Sequence, residues 1–292
     1  MSLSASSANS WQLSSSDQQL LDLALAEDLN LPFCDITTET LFADRDFAIV
    51  ATIISKHPTS FVACGMPVVQ GLLKYFPQCK LTTSFQDGDI IKPGATLLSL
   101  QGPVKALLQL ERTLLNFLQH LSAVATMTQI FVEKIKHTHT KILDTRKTTP
   151  GFRHLDKYAV FCGGGVNHRM GLYDALLIKD NHIDALGGIA QVLQRLPVQK
   201  QYETVIEIRT VAELQEVLQN GLAKIDRVLL DNMNLTQLCE CAELCKNKIA
   251  TEASGNVALT TVADIAATGV DFVSVGKLTH SISAIDLSMR MG

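Results

Sequence analysis

From Lys141 onward, short apolar runs alternate with helical stretches, and this alternation restricts the fold more than any other feature of the chain. The runs are Lys141–Asp144, Ala175–Ile178, Thr204–Ile208, Arg227–Leu230, Ile249–Thr251 and Phe272–Val275. Helical periodicity follows most of them, over Ala185–Leu196, Val211–Asn220, Leu235–Cys245 and Thr261–Thr268. Strands separated by helices cannot join as tight hairpins; they must lie parallel, as βαβ units. Such units close into an α/β barrel or spread into an open doubly wound sheet. The strand ends favour the barrel. Nearly every run ends in polar chemistry: Asp144 and Arg146, Lys179-Asp180, Glu207 and Arg209, Asp231-Asn232, Glu252, and Gly276-Lys277. In a parallel barrel all those ends share one mouth, where catalytic loops sit.

The rhythm before residue 141 is different. Asp17–Glu27 has the pattern of an amphipathic helix, Phe47–Ser55 and Ala95–Leu100 of strands, Met66–Phe76 of a helix, and Lys80–Phe85 of an extended segment. Val104–Leu121 and Ala123–Lys136 are two long helical stretches. Residues 1–16 are rich in Ser and lack the basic and apolar regions of a signal peptide, so they are expected to be a flexible leader. No apolar run reaches the roughly 18 residues of a membrane span. A net charge of −4 gives no reason to expect nucleic acid or a membrane as partner. It also means that an anionic substrate needs a local cluster of bases. The seven cysteines are odd in number and scattered, which points to free thiols in a reducing compartment. Cys239, Cys241 and Cys245 fall within a helical pattern and read as helix packing, not as a zinc site.

Such a cluster of bases exists. Arg146 and Lys147 follow the first strand; His168 and Arg169 follow the run Gly163-Gly164-Gly165; Lys179 ends the next strand. An arginine fork grips a carboxylate bidentately, whereas lysine acts as a point charge. Cations crowded at one mouth repel each other until a ligand with several negative charges enters. Glu207 and Asp231, at the ends of consecutive strands, can hold a hard cation such as Mg²⁺ or accept bonds from sugar hydroxyls. Ser254-Gly255-Asn256 and Gly276-Lys277 follow the last two strands, where barrels often bind phosphate; His280 lies close behind. Arg112, ahead of an apolar helix face, reads on pattern alone as a snorkelling side chain.

The segments ERTLLN (111–116), LDTRKTTPG (143–151), GGGVNHRMGL (163–172), LIKDNH (177–182), LLDNM (229–233), EASGN (252–256) and VGKLTHS (275–281) resemble the quinolinate phosphoribosyltransferase family, in the family's order. The resemblance implies an incomplete, seven-stranded α/β barrel (116–280) and a smaller N-terminal α/β sandwich domain (17–115), to which 281–292 returns. It implies a cytoplasmic, Mg²⁺-dependent glycosyltransferase that joins quinolinate to phosphoribosyl pyrophosphate. It further implies a head-to-tail homodimer, in some members a hexamer, with each site completed by the neighbour's small domain. By the same resemblance Arg146, His168, Arg169 and Lys179 hold the two quinolinate carboxylates, and Lys147 bridges to pyrophosphate. Arg112 is the arginine donated across the interface. Glu207 and Asp231 lie near the ribose and Mg²⁺; Ser254, Gly255, Gly276 and His280 hold the 5′-phosphate. The chain departs from the family at Val205, where a second acid is usual. Two other readings stay open on these residues: an aldolase-like enzyme with a Schiff base on Lys179, and a binding protein that reuses the fold, like relatives linked to molybdenum transport.

Overall fold

The computed structural model describes residues 11–30 and 32–292. In chain order its elements begin with α1 (Ser15–Leu29), α2 (Ile36–Leu41), β1 (Ala48–Ser55), β2 (Phe61–Val62), α3 (Met66–Leu73), β3 (Lys80–Thr83), β4 (Ile90–Ile91), β5 (Thr96–Pro103) and α4 (Val104–Ile135). There follow β6 (Lys141–Leu143), α5 (Arg153–Cys162), β7 (Ala175–Ile178), α6 (Asp180–Leu186), α7 (Ile189–Arg195), β8 (Glu203–Ile208) and α8 (Val211–Asn220). The chain then forms β9 (Arg227–Asp231), α9 (Leu235–Cys245), β10 (Ala250–Ser254), α10 (Val262–Ala267), β11 (Phe272–Ser274), α11 (Lys277–His280) and β12 (Leu287–Met291). Backbone packing divides the chain into two compact units, one of 1–129, 148–164 and 281–292, the other of 130–147 and 165–280.

The first unit is built on an antiparallel sheet in the order β12-β1-β5-β3. Ala51, Ile53 and Ser55 of β1 are buried, at the period of two expected of a sheet with one covered face. The end of the chain completes this sheet, since β12 pairs with β1 from Leu287 opposite Ser55 to Met291 opposite Ala51. The two helical stretches expected on either side of Ser122 are a single helix, α4. Ser122 does not interrupt it, because its hydroxyl leaves the helix ladder intact and bonds Cys64 of the neighbouring segment. Most of the leader expected over 1–16 lies outside the described residues. Its last part is packed: the Trp11 ring lies 4.7 Å from that of His154, and Ser14 caps α1 with Asp17 in a reciprocal capping box.

The second unit carries the parallel sheet, in the order β6-β11-β10-β9-β8-β7. The order follows the sequence except that the first strand, β6, lies beyond the last, β11. Val166 adds an isolated parallel bridge to Leu143 on the other side of β6. Thr204–Ile208 and Arg227–Leu230 are buried without a break, as in strands covered on both faces. The helix expected over Ala185–Leu196 is in fact two, α6 and α7, parted at Gly187 and Gly188, whose φ angles of +86° and +121° no helix accommodates. The helices α8 and α9 match their expected spans, and each starts at a capping box, built by Thr210 with Glu213 and by Asn234 with Gln237. Cys241 and Cys245 are buried within α9 and Cys239 is exposed, as helix packing requires.

Candidate active site

Because the strands of the second unit are parallel, their C-terminal ends form one edge. Arg146 and Lys147 follow β6, Lys179 follows β7, Glu207 lies near the end of β8, and Asp231 and Ser254 are the last residues of β9 and β10. Gly276 closes the series directly before α11. Eleven of the twelve residues singled out in the sequence lie in this unit; Arg112 belongs to the other.

Arg146 and Arg169 form the centre of positive charge. Burial and the nearby Arg146 guanidinium both pull the Arg169 pKa below the usual arginine range, with Asp174 offsetting part of the effect. The Nε groups of both arginines are buried without a hydrogen-bond partner. Arg169 spends one terminal nitrogen on the carbonyl of Ala175, at 3.1 Å. A buried guanidinium N–H without an acceptor is costly, and two beside each other more so. An entering anion would relieve that cost.

His168 is held from behind. Its Nδ1 accepts the backbone N–H of Arg169 at 2.8 Å, so in the neutral ring the proton sits on Nε2, which lies 3.4 Å from Oε1 of Glu252. Glu252 is fully buried. Burial alone would raise its carboxyl, but the hydrogen bond and charge of His168, the charge of Arg227 and the Ser274 hydroxyl outweigh burial and hold it below the usual range. Arg227 approaches Glu252 to 3.1 Å at an angle too poor for a hydrogen bond, pairs with Glu203 and lies over the Phe272 ring. Asp144, also fully buried, accepts the backbone N–H of His168 at 2.8 Å and the amide of Asn167 at 2.7 Å. Asp144 and Glu252 stand among the polar strand ends, but the sequence pattern gave them no role. Their signal was the acid itself, placed within an apolar run where only a buried partner could keep it.

Glu207 is buried, and burial first, then the charges of Asp231 and Asp180, push its carboxyl above the usual range; Lys179 and the Asp180 backbone N–H counter this in part. Two carboxylates that repel in a low-dielectric setting, with all-oxygen donors, suit a hard cation such as Mg²⁺. Further round the edge, Lys147, Gly276 and His280 meet. A Cβ on Gly276 would lie 3.1 Å from both the Lys147 side chain and His280 Nε2, and Thr279 donates to the Lys147 carbonyl at 2.8 Å. Gly255 is equally constrained: its φ is +101°, and a Cβ there would lie 2.1 Å from Oδ1 of Asn232, the residue after Asp231. Ser254-Gly255 does not lead directly into a helix, since α10 begins only at Val262; Gly276 does, into the short α11.

In the first unit Arg112 lies on α4, more than half exposed, with Glu111 4.0 Å away as its nearest acid. It lines a cavity of about 380 Å³ together with Leu20, Ala24, Asn116, His120, Thr149 and Phe152. A larger concavity of about 750 Å³ lies at the opposite, N-terminal ends of the parallel strands, around His139, Asp226, Lys248 and Asp271. It contains none of the twelve candidate site residues.

Comparison with known proteins gives a consistent picture. Residues 35–122 match the model of the quinolinate phosphoribosyl transferase N-terminal domain, and residues 124–290 that of the C-terminal domain. The chain is 42% identical over 290 residues to quinolinate phosphoribosyltransferase [decarboxylating] 1b of Nicotiana tabacum, covering 93% of this chain and 81% of that protein. It is 36% identical over 274 residues to a probable nicotinate-nucleotide pyrophosphorylase [carboxylating] of Bacillus subtilis, covering 93% of this chain and 92% of that protein. The solved structure of the nicotinate-nucleotide pyrophosphorylase from Francisella tularensis superposes with a TM-score of 0.89 at 36% identity, over 99% of this chain and 100% of that one.

Proposed function

The chain belongs to the quinolinate phosphoribosyltransferase family, and from that premise we propose that the charged edge of its parallel sheet is where it joins quinolinate to phosphoribosyl pyrophosphate. The reaction releases pyrophosphate and CO₂ and yields nicotinate mononucleotide, a step of NAD biosynthesis. The observation that carries the site assignment is the pair Arg146 and Arg169, two adjacent guanidinium groups with buried, unpartnered Nε–H donors. A dicarboxylate is the ligand such a pair lacks.

The residues then divide the work. Arg169 and Arg146 grip the carboxylates, and Lys179 adds a point charge. His168, anchored by Glu252 and Asp144, fixes the Arg169 backbone and with it the direction of the clamp. So held, the pyridine nitrogen can be presented in line to the anomeric carbon. Lys147, beside Gly276 and His280, faces the phosphate groups and stabilises the charge that develops on the leaving pyrophosphate. Backbone N–H groups of Ser254-Gly255 and Gly276 receive the 5′-phosphate. Glu207 and Asp231 accept the ribose hydroxyls and would hold Mg²⁺, which when bound neutralises charge on the diphosphate. No covalent enzyme nucleophile is required: once the ring nitrogen is quaternised, the adjacent carboxylate leaves as CO₂, its bonding pair stays on the ring carbon beside the cationic nitrogen, and that carbon takes up a proton from solvent.

The finer architecture belongs to the same proposal. A seven-stranded barrel left open between Val166 and β7 is supported by the neighbour order, with β6 beyond β11, and by the Val166 bridge on the far side of β6. We assign the small domain to 17–115 with 281–292 and the barrel to 116–280. We also place Arg112 in the active site of a second copy of the chain, in a homodimer. All seven cysteines are free, in keeping with the reducing cytoplasm, and among the described residues no helix is long and apolar enough to cross a membrane. The decisive assay is pyrophosphate release from phosphoribosyl pyrophosphate with Mg²⁺. Release that depends on quinolinate is expected, and its absence from folded protein would overturn the proposal.

A further inference from the structure

The first unit contains a cluster that the transferase reaction does not use. The Sγ atoms of Cys64 and Cys162 and a carboxylate oxygen of Asp87 all lie within 4.8 Å of one another. They come from three elements: Cys64 from the segment between β2 and α3, Asp87 from the loop between β3 and β4, and Cys162 from the last position of α5. Tyr158, one turn earlier on the same face of α5, donates its hydroxyl to Asp87 at 2.6 Å.

From this geometry we propose that Cys64, Cys162 and Asp87 form a binding site for a thiophilic divalent cation, Zn²⁺, which staples α5 to the β2–α3 and β3–β4 segments. Two thiolates on tetrahedral zinc, with Zn–S near 2.3 Å, stand about 3.8 Å apart, within the spread seen here. Asp87 is oriented to serve as the third ligand. Its donors are the backbone N–H groups of Gly65 (2.9 Å) and Met66 (3.0 and 3.1 Å to its two oxygens) and the Tyr158 hydroxyl. A carboxylate has about four lone-pair positions; the Met66 N–H is shared between both oxygens, so release of its longer arm, 3.1 Å to Oδ1, opens one position for a metal. Buttressing of this kind is what fixes a ligating carboxylate. A water molecule completes the fourth position.

The charge balance points the same way. The ionisable groups that bear most on Cys64 are Cys162 and Asp87, and on Tyr158 they are Asp87, Cys162 and Cys64; none of these is a cation. On binding, each thiol passes its proton to solvent, so two protons leave as one dication enters and two Zn–S bonds form. Thiolate ligands select zinc over magnesium, which keeps this site chemically distinct from the carboxylate pair of Glu207 and Asp231.

The test uses the full-length, reduced chain titrated with Co²⁺ as a spectroscopic probe and then with Zn²⁺. The expected result is one equivalent of Co²⁺ with tetrahedral visible bands and a thiolate-to-metal charge-transfer band, displaced by Zn²⁺, and a melting temperature that Zn²⁺ raises and a chelator lowers again. Cys162→Ser should weaken Zn²⁺ binding by at least about 100-fold. Tyr158→Phe keeps all three ligands and removes only the supporting hydroxyl, so it should cost about 10–100-fold. Cys239→Ser, on α9, should bind as the parent does. Failure of the parent chain to take up one equivalent, or unchanged binding by Cys162→Ser, would overturn the site. So would a Cys64–Cys162 disulfide in freshly alkylated protein with no charge-transfer band, which would make the pair a redox dithiol instead.

Discussion

At the scale of single residues, the site stores unfavourable electrostatics that a ligand relieves. Arg169 is the clearest case, desolvated and set against Arg146. Arg169→Lys keeps the charge and loses the fork, which costs about 1.5–3 kcal/mol for a charged hydrogen-bonding pair. Isothermal calorimetry should therefore show quinolinate affinity falling by roughly 10–150-fold, with phosphoribosyl pyrophosphate binding little altered. An unchanged quinolinate affinity would remove Arg169 from the clamp. Glu207 stores strain of the opposite sign. Its carboxyl is raised in the folded protein, chiefly by burial and then by Asp231, so the unfolded chain ionises first. Stability from this group is intact below its ordinary value of 4.5 and declines as pH rises from there through the raised folded value. Glu207→Gln should thus melt higher than the parent at neutral pH without Mg²⁺, and the gain should vanish below that ordinary value. Melts over a pH series would show it; equal curves at all pH values would mean that Glu207 is not strained.

At the scale of elements, the first unit is constrained by how closely two of its helices approach. Gly163 follows α5, and a Cβ there would lie 2.3 Å from the Ala125 carbonyl oxygen and 2.7 Å from Cβ of Thr128, both on α4. Neither neighbour is the tip of a flexible side chain, so Gly163→Ala must push the two helices apart. Overpacking of this kind costs about 1–3 kcal/mol, and the midpoint of urea unfolding should drop accordingly; an unmoved midpoint would show that the contact yields freely. The helices α8 and α9 were legible in the sequence to their end residues because local chemistry fixes their starts, through Thr210 and Asn234. The helix α5 was not. Its buried positions Leu155, Tyr158, Ala159 and Val160 are interleaved with the buried charges Asp156 and Lys157, so the hydrophobic period is masked. Asp156 is buried because His120 on α4 pairs with it at 2.6 Å, a partner no local pattern reveals. The strand β12 escaped for a related reason: Leu287–Met291 is too short to declare itself and becomes a strand only against β1.

At the scale of the whole molecule, the test is whether two copies complete each other's sites. Arg112→Ala and Lys179→Ala homodimers should each be nearly inactive. In the mixed dimer one site carries both defects, while the other takes Lys179 from one chain and Arg112 from the other and is whole. Purified through two affinity tags, that species should release pyrophosphate at about half the parental rate, since one of its two sites is intact. A folded mixed dimer with no recovery would confine Arg112 to its own subunit. Specificity is also a property of the assembled pocket. Nicotinate, with one carboxylate, would leave buried donors of Arg146 or Arg169 without an acceptor, so its turnover should be far below that of quinolinate. Comparable turnover of both would rule out a two-carboxylate clamp.

Local periodicity and strand-end chemistry were enough to establish a parallel α/β unit, its charged edge, and the motifs at 143–151 and 163–172 that mark the family. These are short-range properties, since apolar spacing and cap residues act within a few positions of the chain. What only the tertiary structure decided depends on groups far apart in sequence. Asp144 and Glu252 became the supports of His168 because burial takes them from water and they must find polar partners inside the unit, His168 among them. Cys64, Asp87 and Cys162 became one cluster because three separate elements of the first unit close on the same point. Burial and encounter are long-range outcomes of packing, and a sequence records the groups without recording which of them meet.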